Sequence, residues 1–272
     1  MGSAATVLEP AGSPVFVLGG GGRTGSTLVQ RLLISTGEIM IWGEHAGVLL
    51  DGLHRIVSGM QAWIDKEGAG HLEWFRQEGW NAWIANINPS HEAFVAGARA
   101  ALLEALAAPA AQMGYRRWGF KEIRYNGAAV SLLKSLFPDA SIIVLVRHPA
   151  DALRSIKATS WYAKDHGARP EAFLGAWATI SSSLAASASK FDGVLVLRYE
   201  DLADDPERFV TAVAKHVHIE ANRFDRAAIA TRVRGAPGGP MPEPAALDAR
   251  DRAALAAPSV QQAAIAVGYQ LD

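Results

Sequence analysis

The stretch Val15 to Leu33 reads VFVLGGGGRTGSTLVQRLL. Four apolar residues, three of them β-branched or aromatic, predict a short buried strand from Val15 to Leu18. A glycine-rich turn, Gly19 to Gly25, follows, and then an amphipathic helix with Leu28, Leu32 and Leu33 on one face. Backbone N–H groups at such a strand-to-helix turn, together with the helix dipole, favour an anion. Gly20 and Gly25 have the G-x-x-x-x-G spacing of a phosphate-binding loop, but Ser26 stands where that motif needs lysine. The cation that would grip the outer phosphates of a nucleoside triphosphate is absent there. Arg23 lies earlier in the loop, within reach of a group beyond a cradled phosphate, which favours a nucleotide carrying one 5′-phosphate with something attached. Glycines also serve tight turns and close packing, so the loop alone leaves that alternative open.

Further along the chain, Ser141 to Val146 and Val194 to Arg198 read as strands alternating with helical stretches, the pattern of a parallel sheet covered by helices. The expected class is therefore α/β: a P-loop-like parallel sheet flanked by helices, with a helical insertion. The strand SIIVLV runs into Arg147-His148-Pro149, and proline suits a first helical turn because its missing N–H is not needed there. Arg147 is thereby delivered to the carboxyl edge of the sheet, where ligands of open α/β folds bind. Ser155, about two turns into the next helix, can donate to the same anion. An arginine in that place also serves as a helix cap or ion-pair partner. From about Ala46 to Tyr115 no strand is expected. That segment reads as helices with Trp63, Trp74, Trp80 and Trp83, either core aromatics or the wall of an acceptor pocket. The part from about Asn222 reads as alanine-rich helix broken by Gly235 to Pro240, and no linker separates a second domain from the single one expected over residues 1–272.

A chain of 272 residues, half of them hydrophobic, buries enough surface to hold together without disulfides or metal staples. It has no cysteine, which excludes thiolate zinc sites, redox CxxC pairs and cysteine nucleophiles. A net charge of −1 speaks against a nucleic-acid-binding surface, so phosphate binding is expected to be local. No run reaches the roughly 20 apolar residues of a membrane span, and the first residues lack the pattern of a signal peptide. No transmembrane segment is expected, and the expected location is cytoplasmic. Met1-Gly2 with Thr6 fits the loose myristoylation pattern, which a short tail explains better.

Four segments together, PVFVLGGGGRTGSTLVQRLL, WGFKEIR, IIVLVRHPADALRS and RYEDLADDP, span Pro14 to Pro206. In order and spacing they resemble the sulfotransferases that use 3′-phosphoadenosine 5′-phosphosulfate. The resemblance implies that Arg23, Thr24, Gly25, Ser26 and Thr27 wrap the 5′-phosphosulfate, that Arg147 and Ser155 hold the 3′-phosphate, and that Tyr199 lies near the adenine. The cytosolic members carry lysine at the Arg23 position and an aromatic residue at Leu28, so this chain is more similar to the bacterial and Golgi type. Arg232 to Gly235 is a partial counterpart of the family's C-terminal Arg-Lys-Gly, with Arg234 the better candidate for the 3′-phosphate. A helix end followed by glycine explains the same residues.

Sulfuryl transfer to a hydroxyl spreads charge over the moving group, so the protein mainly positions reactants and neutralises charge. Arg23 and Lys121 are the expected cations near the bridging oxygen, and with charge carried by these side chains no metal is expected. For the base, the run Ile39 to His45 ends in Glu44 and His45, both chemically able. The tyrosylprotein sulfotransferases have a basic glutamate in a matching Gly-Glu pair, which ranks Glu44 ahead of His45. The strand Lys121-Glu122-Ile123-Arg124 carries none of the histidine that other sulfotransferases use. Glu200 and Asp201 are equally explained as caps of the next helix. The expected acceptor bears a hydroxyl and is apolar or carrier-bound. The rival readings are an ATP-dependent kinase-like phosphotransferase and a non-catalytic nucleotide-binding module.

Overall fold

The computed structural model describes residues 12–68, 70–231 and 243–271. Strand β1 (Val15–Gly19) is buried along its whole length, as a run without polar alternation requires when both faces are covered. It is followed by helix α1 (Ser26–Ile34) and strand β2 (Ile39–Trp42). Helices α2 (Val48–Trp63), α3 (His71–Glu78), α4 (His91–Leu102) and α5 (Ala108–Gln112) occupy the segment expected to be helical. Strand β3 (Arg117–Glu122), helix α6 (Gly127–Leu136) and strand β4 (Ser141–Val146) come next, then α7 (Pro149–Lys157), α8 (Ser160–His166) and α9 (Pro170–Ser187). Strand β5 (Val194–Arg198) leads into α10 (Tyr199–Asp204) and α11 (Pro206–Val217). The described C-terminal residues add α12 (Ala227–Ala230), α13 (Ala249–Leu255) and α14 (Pro258–Ala266).

The five strands pair in the order β2-β3-β1-β4-β5, every pair parallel. This is the expected P-loop-like α/β class. Because the strands share one direction, the segments that follow them all emerge at one edge. Alternate residues of β1 face opposite layers: Phe16 and Leu18 pack in one apolar cluster with Leu133, Phe173 and Trp177. Val15 and Val17 pack in the other with Leu33, Phe209 and Val213. Two expectations change. Strand β3 ends at Glu122, so Ile123 and Arg124 lie in the bend beyond it. A continuous helical run, His91–Gln112, is 22 residues long and by length and composition alone passes for a membrane span. Here Ala98, Leu102, Ala107 and Ala110 of that run are buried in the core.

Gly119 of β3 lies against β1: a Cβ built there meets the Val15 carbonyl oxygen at 1.5 Å. Backbone cannot step aside without parting the two strands. Gly119→Ala should therefore cost at least the upper part of the overpacking range, about 3 kcal/mol, read as a lowered urea midpoint. A variant with an unchanged midpoint would contradict that packing.

Candidate active site

The loop between β1 and α1 is shaped by three left-handed residues, Gly21 (φ 87), Arg23 (φ 67) and Gly25 (φ 86). Such alternation turns successive N–H groups toward one centre, an anion-binding nest. Neighbouring elements fix it from behind: Gly20 N–H donates to the Leu145 carbonyl at 2.8 Å, and the Ser181 hydroxyl of α9 donates to the Gly20 carbonyl at 2.8 Å. Gly25 has a second constraint, for a Cβ there would stand 2.4 Å from the Tyr199 ring. Thr24 is fully buried under the loop, and its hydroxyl has no hydrogen-bond partner.

Arg147 leaves the end of β4 and donates from Nη1 to the Arg23 carbonyl at 3.1 Å, while its guanidinium lies 4.4 Å from the centre of the Tyr199 ring. Its own carbonyl accepts from the Trp177 indole at 3.1 Å. Its Nε is buried with no partner. Arg23 donates from Nε to the Ser155 hydroxyl at 2.9 Å and lies over the Trp161 ring at 5.6 Å. Burial, and then the charge of Arg147, push the Arg23 guanidinium below its ordinary value. Among the described residues no carboxylate pairs with either arginine. Two half-buried like charges, with unpartnered donor groups beside them, call for an anion.

The second half of the site comes from β2 and β3. Glu44, just past β2, accepts from the nearly buried Lys121 and, at 2.9 Å, from Arg124. Glu44, Lys121, Arg23, Arg147 and Tyr199 all line one cavity of about 730 Å³, together with Ser26, Thr27 and Leu28. Helices α8 and α9 add Trp161, Phe173, Trp177 and Ile180 as an apolar part of the lining, with Asp165 and His166 beside them.

The predicted residues do not all meet there. His45 packs its ring on Phe120 at 4.8 Å and approaches the Tyr125 hydroxyl at 3.2 Å; burial pushes it below its usual value, and it is not part of the cavity lining. Ser155 reaches Arg23 rather than lining the cavity itself. Glu200 accepts the His148 N–H at 3.0 Å, and Asp201 accepts the Arg198 N–H at 3.2 Å, so both take part in fixing turns. Arg232, Arg234 and Gly235 lie outside the described residues. The tryptophans of the helical segment are neither core nor pocket: Trp63, Trp74, Trp80 and Trp83 are exposed, Trp80 to 82%. The aromatic wall that does exist was missed because Phe173, Trp177 and Ile180 have the helical spacing of an ordinary core face.

A loop of alternating left-handed residues at the first strand-to-helix turn, an arginine without a carboxylate partner at the second and a carboxylate–lysine pair thus border one cavity at the carboxyl edge of the sheet. A profile of the sulfotransferase family matches residues 14–223, and the chain belongs to that family. The fold is similar to that of the sulfotransferase domain from the Synechococcus PCC 7002 olefin synthase, at 19% identity over 96% of both chains with a TM-score of 0.54. The sulfotransferase domain from the curacin biosynthetic pathway is similar at 13% identity and a TM-score of 0.51, over 96% of this chain and 99% of that one. Among curated proteins none matches this sequence.

The contact of Gly25 with Tyr199 gives a direct check. Gly25→Ala adds a side chain at positive φ and displaces the ring beneath Arg147, a strain of about 1–3 kcal/mol. The urea midpoint should fall accordingly, with circular dichroism unchanged; an unchanged midpoint would contradict the contact between Gly25 and the Tyr199 ring.

Proposed function

We propose that the protein transfers a sulfuryl group from 3′-phosphoadenosine 5′-phosphosulfate to an acceptor hydroxyl. The observation that carries this reading is the unpaired couple Arg23 and Arg147 on the same cavity as Glu44 and Lys121. The orphaned Nε of Arg147, a residue of the cavity lining, fits a donor that carries a second phosphate. In this reading Arg23, Thr24, Gly25, Ser26 and Thr27 hold the 5′-phosphosulfate. Arg147 takes the 3′-phosphate. Ser155 can accept from Arg23 and still donate its own hydrogen to that phosphate. Tyr199, already under the Arg147 guanidinium, borders the adenine.

The acceptor oxygen attacks sulfur, the bond from sulfur to the bridging oxygen breaks, and the freed phosphate takes up the negative charge. Arg23 and Lys121 stabilise that charge where it develops. When the donor draws Lys121 toward the bridging oxygen, the Glu44 oxygen it held is free to accept the acceptor's proton. The apolar wall of Trp161, Phe173, Trp177 and Ile180 favours an acceptor with an apolar body, free or carrier-bound. Against the kinase-like rival stands Ser26, where a triphosphate site needs lysine; against the non-catalytic one stands the Glu44–Lys121 pair in the cavity.

Adenosine 3′,5′-bisphosphate at about 100 times its dissociation constant should stabilise the fold by about 2.7 kcal/mol. A melting shift from ATP with magnesium, and none from the bisphosphate, would overturn the reading in favour of a kinase-like enzyme. Mass spectrometry with the phosphosulfate donor and a panel running from phenols to long-chain alcohols, free and carrier-bound, then identifies the acceptor; donor binding with no product from any would favour the binding module.

With that acceptor, Glu44→Gln should lower kcat by about 10²–10⁴-fold, because it keeps the shape and removes proton uptake. His45→Gln should cost only a few-fold; the reverse ranking would transfer the base to His45.

A further inference from the structure

Glu122 is fully buried at the end of β3 and is not itself one of the residues that line the cavity. Its Oε2 accepts the N–H groups of His45 at 3.1 Å and Gly47 at 2.9 Å. Its Oε1 accepts the Ile123 N–H at 2.8 Å and Arg124 Nη1 at 2.8 Å. Burial by itself would raise this carboxyl, but the Ile123 and Gly47 N–H groups and Arg124 hold it below the usual carboxylate range. The turn it grips carries Glu44, and that turn is strained: Ala46 has φ 56 and Gly47 φ 77. A left-handed alanine persists only where its surroundings over-determine it, and two N–H groups converging on one carboxylate oxygen do so. Arg124 completes the link, since the Nη1 that meets Glu122 also donates to Glu44 Oε2 at 2.9 Å.

We propose that Glu122 is a positioning residue, whose buried carboxylate holds the Gly43–Gly47 turn and, through Arg124, the Glu44 carboxylate in the geometry that takes the acceptor's proton. The proposal rests on the reading of Glu44 as the base. Neither Glu122 nor its donors are assigned to the nucleotide, so its loss separates turnover from donor binding.

The test uses the full chain with Glu122→Gln, Arg124→Gln, both together, and Glu44→Gln for reference. Adenosine 3′,5′-bisphosphate is the binding probe, and turnover is measured on the best acceptor of the alcohol panel. Hydrogen exchange is followed at the His45 and Gly47 amides. Glu122→Gln should speed exchange at those two amides and lower kcat about 10–100-fold, the effect of a misplaced reacting group. The bisphosphate dissociation constant and the donor KM should stay within about twofold. Because both residues act through Glu44, the double variant should fall well short of the product of the single losses. Full kcat in Glu122→Gln, multiplicative losses, or donor affinity falling in step with kcat would each overturn the proposal. Should Glu122→Gln fail to fold, the exposed Arg124→Gln decides alone: reduced kcat with intact bisphosphate binding supports it, and unchanged kcat overturns it. Full kcat in Glu44→Gln would instead remove the base reading, whereas an inactive Glu44→Gln beside a fully active Glu122→Gln removes only the positioning role.

Discussion

Parallel pairing of β1 with β3 on one side and β4 on the other is the constraint from which the site follows. Parallel strands all finish at one edge, and each must be followed by a segment that starts from that edge. The glycine loop after β1, the Ile123–Arg124 bend after β3 and Arg147 after β4 are thus neighbours although they lie far apart in the chain. Gly119 keeps β3 close enough to β1 for this, since its missing side chain leaves room for the Val15 carbonyl. The outer strands complete the arrangement, β2 with Glu44 and β5 with Tyr199.

The edge collects charge in two unlike halves. On the loop side Arg23 and Arg147 stand together, and two aromatic rings, a hydroxyl and a carbonyl soften their repulsion where, among the described residues, no carboxylate does. On the β2–β3 side Lys121, Arg124, Glu44 and Glu122 form a closed network of two positive and two negative groups. A network balanced within itself keeps its shape without a ligand, whereas the unbalanced pair gains most when an anion arrives. The division between the proposed donor half and the proposed proton-handling half is therefore electrostatic before it is chemical.

Legibility followed the range of the interactions. The glycine loop was readable because positive φ and an open nest are local properties of the residues that form them. Strands β4 and β5 were readable because their apolar runs are bounded by turns, and Arg147 because it directly ends one of them. Glu122 gave no signal: its role comes from N–H groups 75 and 77 positions away, and nothing in Lys-Glu-Ile-Arg announces them. The cavity wall was hidden for a different reason. Phe173 and Trp177 repeat as any buried helix face repeats, and only the tertiary fold decides that part of that face borders a cavity. Conversely, the four tryptophans between Trp63 and Trp83 invited a reading as core or pocket, yet apolar side chains remain on the surface of every folded protein.

The placement of the eight tryptophans also gives the protein a built-in optical contrast. Trp63, Trp74, Trp80 and Trp83 emit from water and are open to a dissolved quencher, whereas Trp118 and Trp177 are sealed from it. The indole of Trp177 is hydrogen-bonded to the backbone of Arg147, and Trp161 lies against the Arg23 guanidinium. Iodide or acrylamide suppresses the light of the exposed group, Trp161 included, and the residual emission comes from the buried rings, of which Trp177 is the one bonded to Arg147. Fluorescence under quenching thus follows the surroundings of Trp177, beside Arg147, without any label.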